Sequence, residues 1–202
     1  MADLARTLRR LAMGQGDDLC FEREREVGVE ECLAMLGGKT GALLGCACRL
    51  GAAHGAAHGA PPGAAPPAWL DRFGRFGDHL GVAFQLIDDV LGIWGDPAVT
   101  GKPVGSDLRA RKKIAPVVAA LQAGSAASAR LSRLYATPGD LTEHQVAMVT
   151  GLVEEAGGRA WTLAEADRRI AAAWDLLDPL DLDPAARRGL ADLTTALTAR
   201  HA

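Results

Sequence analysis

Phe84-Gln85-Leu86-Ile87-Asp88-Asp89-Val90-Leu91-Gly92, with Gly101-Lys102-Pro103-Val104-Gly105-Ser106-Asp107 and Lys112 after it, sets the reading of this chain. The first stretch lies within a run in which Phe73, Phe76, Leu80, Phe84, Ile87 and Leu91 recur every three or four residues. That period predicts an amphipathic helix from Trp69 to about Trp94, ended by Gly95-Asp96-Pro97. Gln85, Asp88 and Asp89 then share one helix face at i, i+3 and i+4. Adjacent carboxylates in an apolar setting repel each other and lose hydration, a cost relieved by a cation between them. Mg²⁺ suits the place, because it binds through a few carboxylates and shares the rest of its shell with water and substrate phosphates. The lysines downstream can meet phosphate oxygens as point charges. The local pattern implies a Mg²⁺–diphosphate site.

Elsewhere the chain again reads as helices. Leu4, Leu8, Leu11 and Leu19 mark one over residues 3–22. A second opens at Val27-Gly28-Val29-Glu30-Glu31 and runs to about Leu50. Gly37, Gly38, Gly41 and Gly45 each lower its intrinsic helicity by up to ~1 kcal/mol relative to Ala. A helix that keeps them is expected to be approached closely by a neighbour or a ligand, and Lys39-Thr40 sits among them. Residues 51–68 are Gly, Ala or Pro except His54 and His58, with four prolines, and are expected to form a low-complexity loop. A short helix is predicted from Ile114 to Leu121, and longer ones over Leu141–Ala156, Gly158–Leu177 and Pro184–His201. Thr142-x-x-Gln145 and Asp183-Pro184 read as helix starts. Arg109–Lys113, taken alone, reads as a solvated charged face. No segment reads as a strand, so the expected fold class is all-α, a helical bundle.

At 202 residues the chain suits one domain. Hydrophobic residues make up 49% and aromatics only 4%, which favours closely packed helices over a sandwich of sheets. A net charge of −3 gives nucleic acid no footprint. No apolar run reaches the ~18–20 residues of a membrane span. The N-terminal residues lack an apolar signal core, so a cytoplasmic location is expected. Cys20, Cys32, Cys46 and Cys48 form no C-x-x-C pair and are expected to be reduced and mostly buried.

Taken together, Phe84-Gln85-x-x-Asp88-Asp89-x-Leu91-Gly92, Gly95-Asp96 and Gly101-Lys102-x-x-Gly105-x-Asp107 resemble the second aspartate-rich region of the trans-isoprenyl diphosphate synthases, the polyprenyl synthetases. Gly14-Gln15-x-x-Asp18 and Lys39-Thr40 match that family in order and spacing, so the resemblance covers roughly residues 4–121. It implies an isoprenoid synthase-type helical bundle, with 1–202 as a single partial domain lacking N-terminal helices. It implies Mg²⁺-dependent condensation of an allylic diphosphate with isopentenyl diphosphate, in a homodimer or a heteromer. Carried over, Asp88 and Asp89 are the metal residues, Asp88 as ligand and Asp89 in support. Lys39, Asp88, Asp89 and Lys102 form the catalytic set. Gln15, Lys39, Thr40, Phe84, Gln85, Lys102 and Lys112 bind the allylic diphosphate, with Asp18 lining the same cavity.

The chain also departs from the family pattern. The family's first aspartate-rich region, D-D-x-x-D, is expected ahead of Gly14-Gln15, where this chain has thirteen residues and one Asp. Gly92 stands where the family's second region has its last Asp, and Arg111 and Ile114 replace a frequent Gly and Thr. Two other readings therefore stand beside the prenyltransferase: a non-catalytic or regulatory subunit of a heteromeric synthase, and a terpene cyclase on the same fold. Absent N-terminal helices would leave the apolar face of the central helix exposed and the chain prone to associate.

Overall fold

The computed structural model describes residues 2–24, 26–59, 67–96, 98, 105–137 and 139–199. Helices α1 (Ala2–Phe21) and α2 (Val29–Leu36) come first, then a π-helical turn (Gly37–Gly41) and α3 (Ala42–Gly59). The long α4 (Pro67–Trp94) precedes a single turn, α5 (Ser106–Arg109). The chain continues through α6 (Ala115–Gln122), α7 (Ala126–Ala136), α8 (Glu143–Glu155), α9 (Gly158–Leu177) and α10 (Pro184–Thr198). No strand occurs among the described residues, so the expected all-α class holds.

Two expected helix starts form as the sequence dictates. The Thr142 hydroxyl accepts from Gln145 N–H while the Gln145 side chain accepts from Thr142 N–H, a reciprocal cap on α8. Asp183 accepts from Ala185 and Ala186 N–H, with Pro184 as the first residue of α10.

The loop expected over 51–68 is helical as far as Gly59. Ala is the best helix former, and the first proline comes only at Pro61, so alanine propensity prevails over the scattered glycines. Residues 60–66 lie outside the described residues. Pro67 then opens α4, where the missing N–H costs nothing. Helix α7 was not anticipated. Its Ser125–Ser128 cap is sound, but only Ala127, Ser128 and Leu131 of it are buried, too sparse a stripe to read as a period. The last helix stops at Thr198, and His201 lies outside the described residues.

Helix α4 is the central element, packed between the α2–π–α3 rod and α9. The rod is continuous, since Leu36, Gly37 and Ala42 all keep right-handed helical dihedrals. Phe76, Leu80, Leu86 and Ile87 of α4 are fully buried, and Phe76 meets Trp174 of α9 edge-on at 5.5 Å. Glycines mark where α4 and α1 touch the rod's backbone. A Cβ on Gly77 would collide with the Leu44 carbonyl, and one on Gly81 would come within 2.6 Å of Gly41 Cα. A Cβ on Gly14 would run into the backbone of Lys39, so α1 crosses the rod at the π turn.

The expectation of an exposed central helix is corrected by this packing. None of the large exposed apolar side chains lies on α4. They include Leu4, Leu8, Met13 and Leu19 of α1 and Leu43 and Leu50 of α3. Cys20 is likewise exposed rather than buried, while Cys32 and Cys46 are buried and all four thiols are free. No helix among the described residues is long and apolar enough to cross a membrane.

Candidate active site

Four segments converge at the C-terminal half of α4. A cleft of about 120 Å³ is lined by Asp18 of α1, Lys39 of the π turn, Gln85, Asp88 and Asp89 of α4, and Asp107 and Lys112 of the segment around α5. Met35, Leu36 and Ile114 close its floor. The π turn places Lys39 and Thr40 there. It widens the helix by one residue per turn and so shifts side-chain register where α1 and α4 both press on it.

The polar groups form a hydrogen-bonded chain from Thr40 to Ala115 and two ion pairs beside it. Thr40 Oγ1 donates to Gln85 Oε1 at 2.9 Å. Gln85 Nε2 donates to Asp89 Oδ1 at 3.1 Å and reaches Asp88 Oδ2 at 3.5 Å. Asp89 Oδ2 accepts from the N–H of Ala115, the first residue of α6, at 3.0 Å. Lys39 Nζ pairs with Asp18 Oδ2 at 2.6 Å, and Lys112 Nζ lies 3.4 Å from Asp107 Oδ1.

The two adjacent aspartates thus differ in setting. Asp88 is half-buried and lines the cleft, whereas Asp89 is 5% exposed with both oxygens engaged. Burial pushes the Asp89 carboxyl up to about 7; the Ala115 N–H and Gln85 oppose this, and the carboxylates of Asp107 and Asp88 add to it. Asp89 is therefore built into the fold at the start of α6, while its neighbour Asp88 lines the cleft. At Gly92, where a third helix carboxylate would sit, an added Cβ would meet Asp107 Oδ2 at 3.1 Å. The Asp107 carboxylate, arriving from another segment, fills the space beside that position.

Among the sequence-predicted residues, Lys39, Gln85, Asp88, Asp89 and Lys112 come together at the cleft, and Thr40 joins through Gln85. Gln15 is exposed on α1 and Phe84 is half-buried on α4, and neither lines the cleft. Lys102 lies outside the described residues. Arg109–Lys113 is not the solvated face expected. Arg109 pairs with Glu143, and its carbonyl accepts from Leu141 N–H at 3.1 Å. Arg111 donates to the carbonyls of Gly139 and Leu134, and Lys113 donates to the Phe21 carbonyl at 2.7 Å. Sequence alone gave no sign of this splint, because its partners are backbone carbonyls far along the chain.

The sequence profile of the polyprenyl synthetase family matches residues 1–152. The chain belongs to the polyprenyl synthetase family. It is 46% identical over 175 residues to a geranylgeranyl diphosphate synthase of Mycobacterium tuberculosis, covering 83% of this chain and 48% of that protein. The crystal structure of a polyprenyl synthetase from Streptomyces coelicolor superposes with a TM-score of 0.85 at 45% identity, over 98% of this chain and 57% of the other. A geranylgeranyl pyrophosphate synthase of Corynebacterium glutamicum, crystallised with isoprenyl diphosphate and magnesium, gives 0.83 at 28% identity, over 98% and 56%. The all-α isoprenoid synthase-type fold is that of these structures. The chain spans about half the length of the relatives it matches.

The donor set suits Mg²⁺ better than a cation that needs a full protein cage. Among the described residues no group of three His, Cys, Asp or Glu side chains is arranged as such a cage. Mg²⁺ requires only one or two carboxylates when phosphates and water complete its shell. The cleft lining holds four aspartates against two lysines, a surplus of carboxylates that a divalent cation would offset.

Proposed function

We propose that this chain forms the allylic-diphosphate half of a Mg²⁺-dependent prenyltransferase that condenses an allylic diphosphate with isopentenyl diphosphate. One observation carries the reading: Lys39, Gln85, Asp88, Asp89, Asp107 and Lys112, distant in sequence, line a single cleft. The magnesium and isoprenyl diphosphate named with the Corynebacterium structure agree with it. Asp88 and Asp107 would hold Mg²⁺, which when bound neutralises diphosphate oxygens as a Lewis acid. Asp89 acts one step back, fixing Gln85 and the start of α6, and Gln85 in turn orients Asp88.

Lys39 and Lys112 donate to the diphosphate. Charge accumulates on the departing group as the allylic C–O bond breaks, so fixed ammonium donors stabilise ionisation more than they stabilise the bound substrate. Their present partners, Asp18 and Asp107, hold both side chains at the cleft before substrate arrives.

Calorimetric titration of the chain with inorganic pyrophosphate, with and without MgCl₂, tests the site. Binding is expected only with Mg²⁺, and Asp88→Ala is expected to weaken it by on the order of tenfold or more. Wild-type protein that ignores pyrophosphate in the presence of Mg²⁺ overturns the reading.

A further inference from the structure

Lys112 owes its place at the cleft to a residue that faces the other way. Helix α5 ends at Arg109, and two residues later Arg111 adopts φ = 54°, the one positive value at a residue other than glycine among the described residues. An L-residue avoids that region because its Cβ crowds the following carbonyl, so a conformation of this kind persists only where its surroundings hold it.

The guanidinium supplies the hold. Arg111 Nε donates to the Gly139 carbonyl at 2.5 Å, and Nη1 donates to the Leu134 carbonyl in the last turn of α7. A helix C-terminus offers carbonyls without helical partners and the negative end of the macrodipole, and a planar cationic fork fits both. With Arg111 fixed there, the left-handed turn sends the next residue back toward α5. Lys112 N–H returns to the Asp107 carbonyl at 2.9 Å, and its side chain enters the cleft. Lys113 then leaves on the far side to the Phe21 carbonyl. Of the successive cations Arg111, Lys112 and Lys113, Lys112 is directed at the cleft and its two neighbours away from it.

We infer that Arg111 is a positioning residue, whose anchorage to the end of α7 presents the Lys112 ammonium to a diphosphate. The inference rests on the diphosphate site proposed above. Lysine is a flexible point charge, so a fixed backbone at its root governs how much freedom it loses on meeting a phosphate. The same anchor ties α7 to the cleft.

A double-mutant cycle on Mg²⁺-dependent binding of inorganic pyrophosphate tests this, with thermal midpoints recorded alongside. Arg111→Gly accepts the positive φ without strain and removes the side chain with its guanidinium. Arg111→Lys keeps the charge but not the fork. Each is expected to weaken pyrophosphate binding by on the order of tenfold. In a Lys112→Ala background, Arg111→Gly is expected to change affinity by less than about twofold, since the group it positions is gone. Equal losses in both backgrounds, or a lowered midpoint with affinity intact, would show a purely structural anchor and overturn the inference. A wild-type protein that binds pyrophosphate and responds to Asp88→Ala, yet is indifferent to Arg111→Gly, overturns this inference alone. A wild type that binds none overturns both readings.

Discussion

Asp88 and Asp89 show how one covalent step separates two chemistries. Both are aspartates on one helix, but a 100° rotation turns one to the cleft and the other to the first N–H of α6. Sequence made the pair legible as a unit and could not show the division, because the partner of Asp89 lies 26 residues away in a backbone amide. Asp89→Ala would leave the buried Ala115 N–H without its acceptor and take from Gln85 Nε2 the shorter of its two hydrogen bonds, a loss of about 1–3 kcal/mol. Asp89→Asn keeps one oxygen for Ala115 but presents an amide donor to Gln85, so its stability should fall between wild type and Asp89→Ala. Urea unfolding would establish the order, and an Ala variant as stable as wild type would show that the cap contributes nothing. The cysteines divide in the same way. Burial, with Asp89 and Asp18 adding to it, pushes the Cys32 thiol up to about 12, so it stays protonated at pH 8, whereas Cys20 is exposed. Ellman's reagent at that pH is expected to modify Cys20 readily and Cys32 only after denaturant is added. Rapid modification of Cys32 in the native protein would contradict the burial described for it.

Glycines along the rod carry a lesson about elements. The sequence shows that the π turn and α3 hold many of them and that something must come close, but composition cannot tell a contact glycine from an idle one. Gly77 of α4 faces the Leu44 carbonyl, while Gly51 of α3 has open space where a Cβ would go. Gly51→Ala is therefore expected to stabilise the protein by about 0.5–1 kcal/mol through helix propensity alone. Gly77→Ala must push two helix backbones apart and should cost about 1–3 kcal/mol or more. Circular-dichroism melts of the two variants decide the matter, and shifts of the same sign would refute the backbone contact at Gly77. Elements that bury a wide stripe, such as α4 and α9, announce themselves by period. Helix α7 does not, because it buries so little, and 51–59 reads as a loop because its glycines and the prolines that follow it mask alanine's propensity. Lys39-Thr40 was legible as site chemistry, but the π turn beneath it was not, since a register shift arises from packing by α1 and α4.

At the scale of the molecule, charge and apolar surface are sorted to different places. Most of the described motif residues that revealed the family gather around one end of α4, while Leu4, Leu8, Leu11 and Leu19 recur along α1 within roughly 80° of arc. Thr7 and Gly14, the buried positions of α1, lie to one side of that arc, so the stripe is turned away from the rod that supports the helix. Leu4, Leu8 and Leu19 remain 44%, 55% and 56% exposed, and covering each would contribute on the order of 1 kcal/mol. A row of this kind is unusual on a surface without a partner. The chain is accordingly expected to associate through α1 as its concentration rises, seen as a rising sedimentation coefficient. Leu4→Glu with Leu8→Glu places two charges in the stripe and should hold the protein at the smaller species. Because both leucines are about half exposed, the thermal midpoint should barely move, which separates loss of association from loss of fold. A double variant that sediments as wild type does would place the contact elsewhere, with Leu43 and Leu50 of α3 the remaining exposed leucines of the rod.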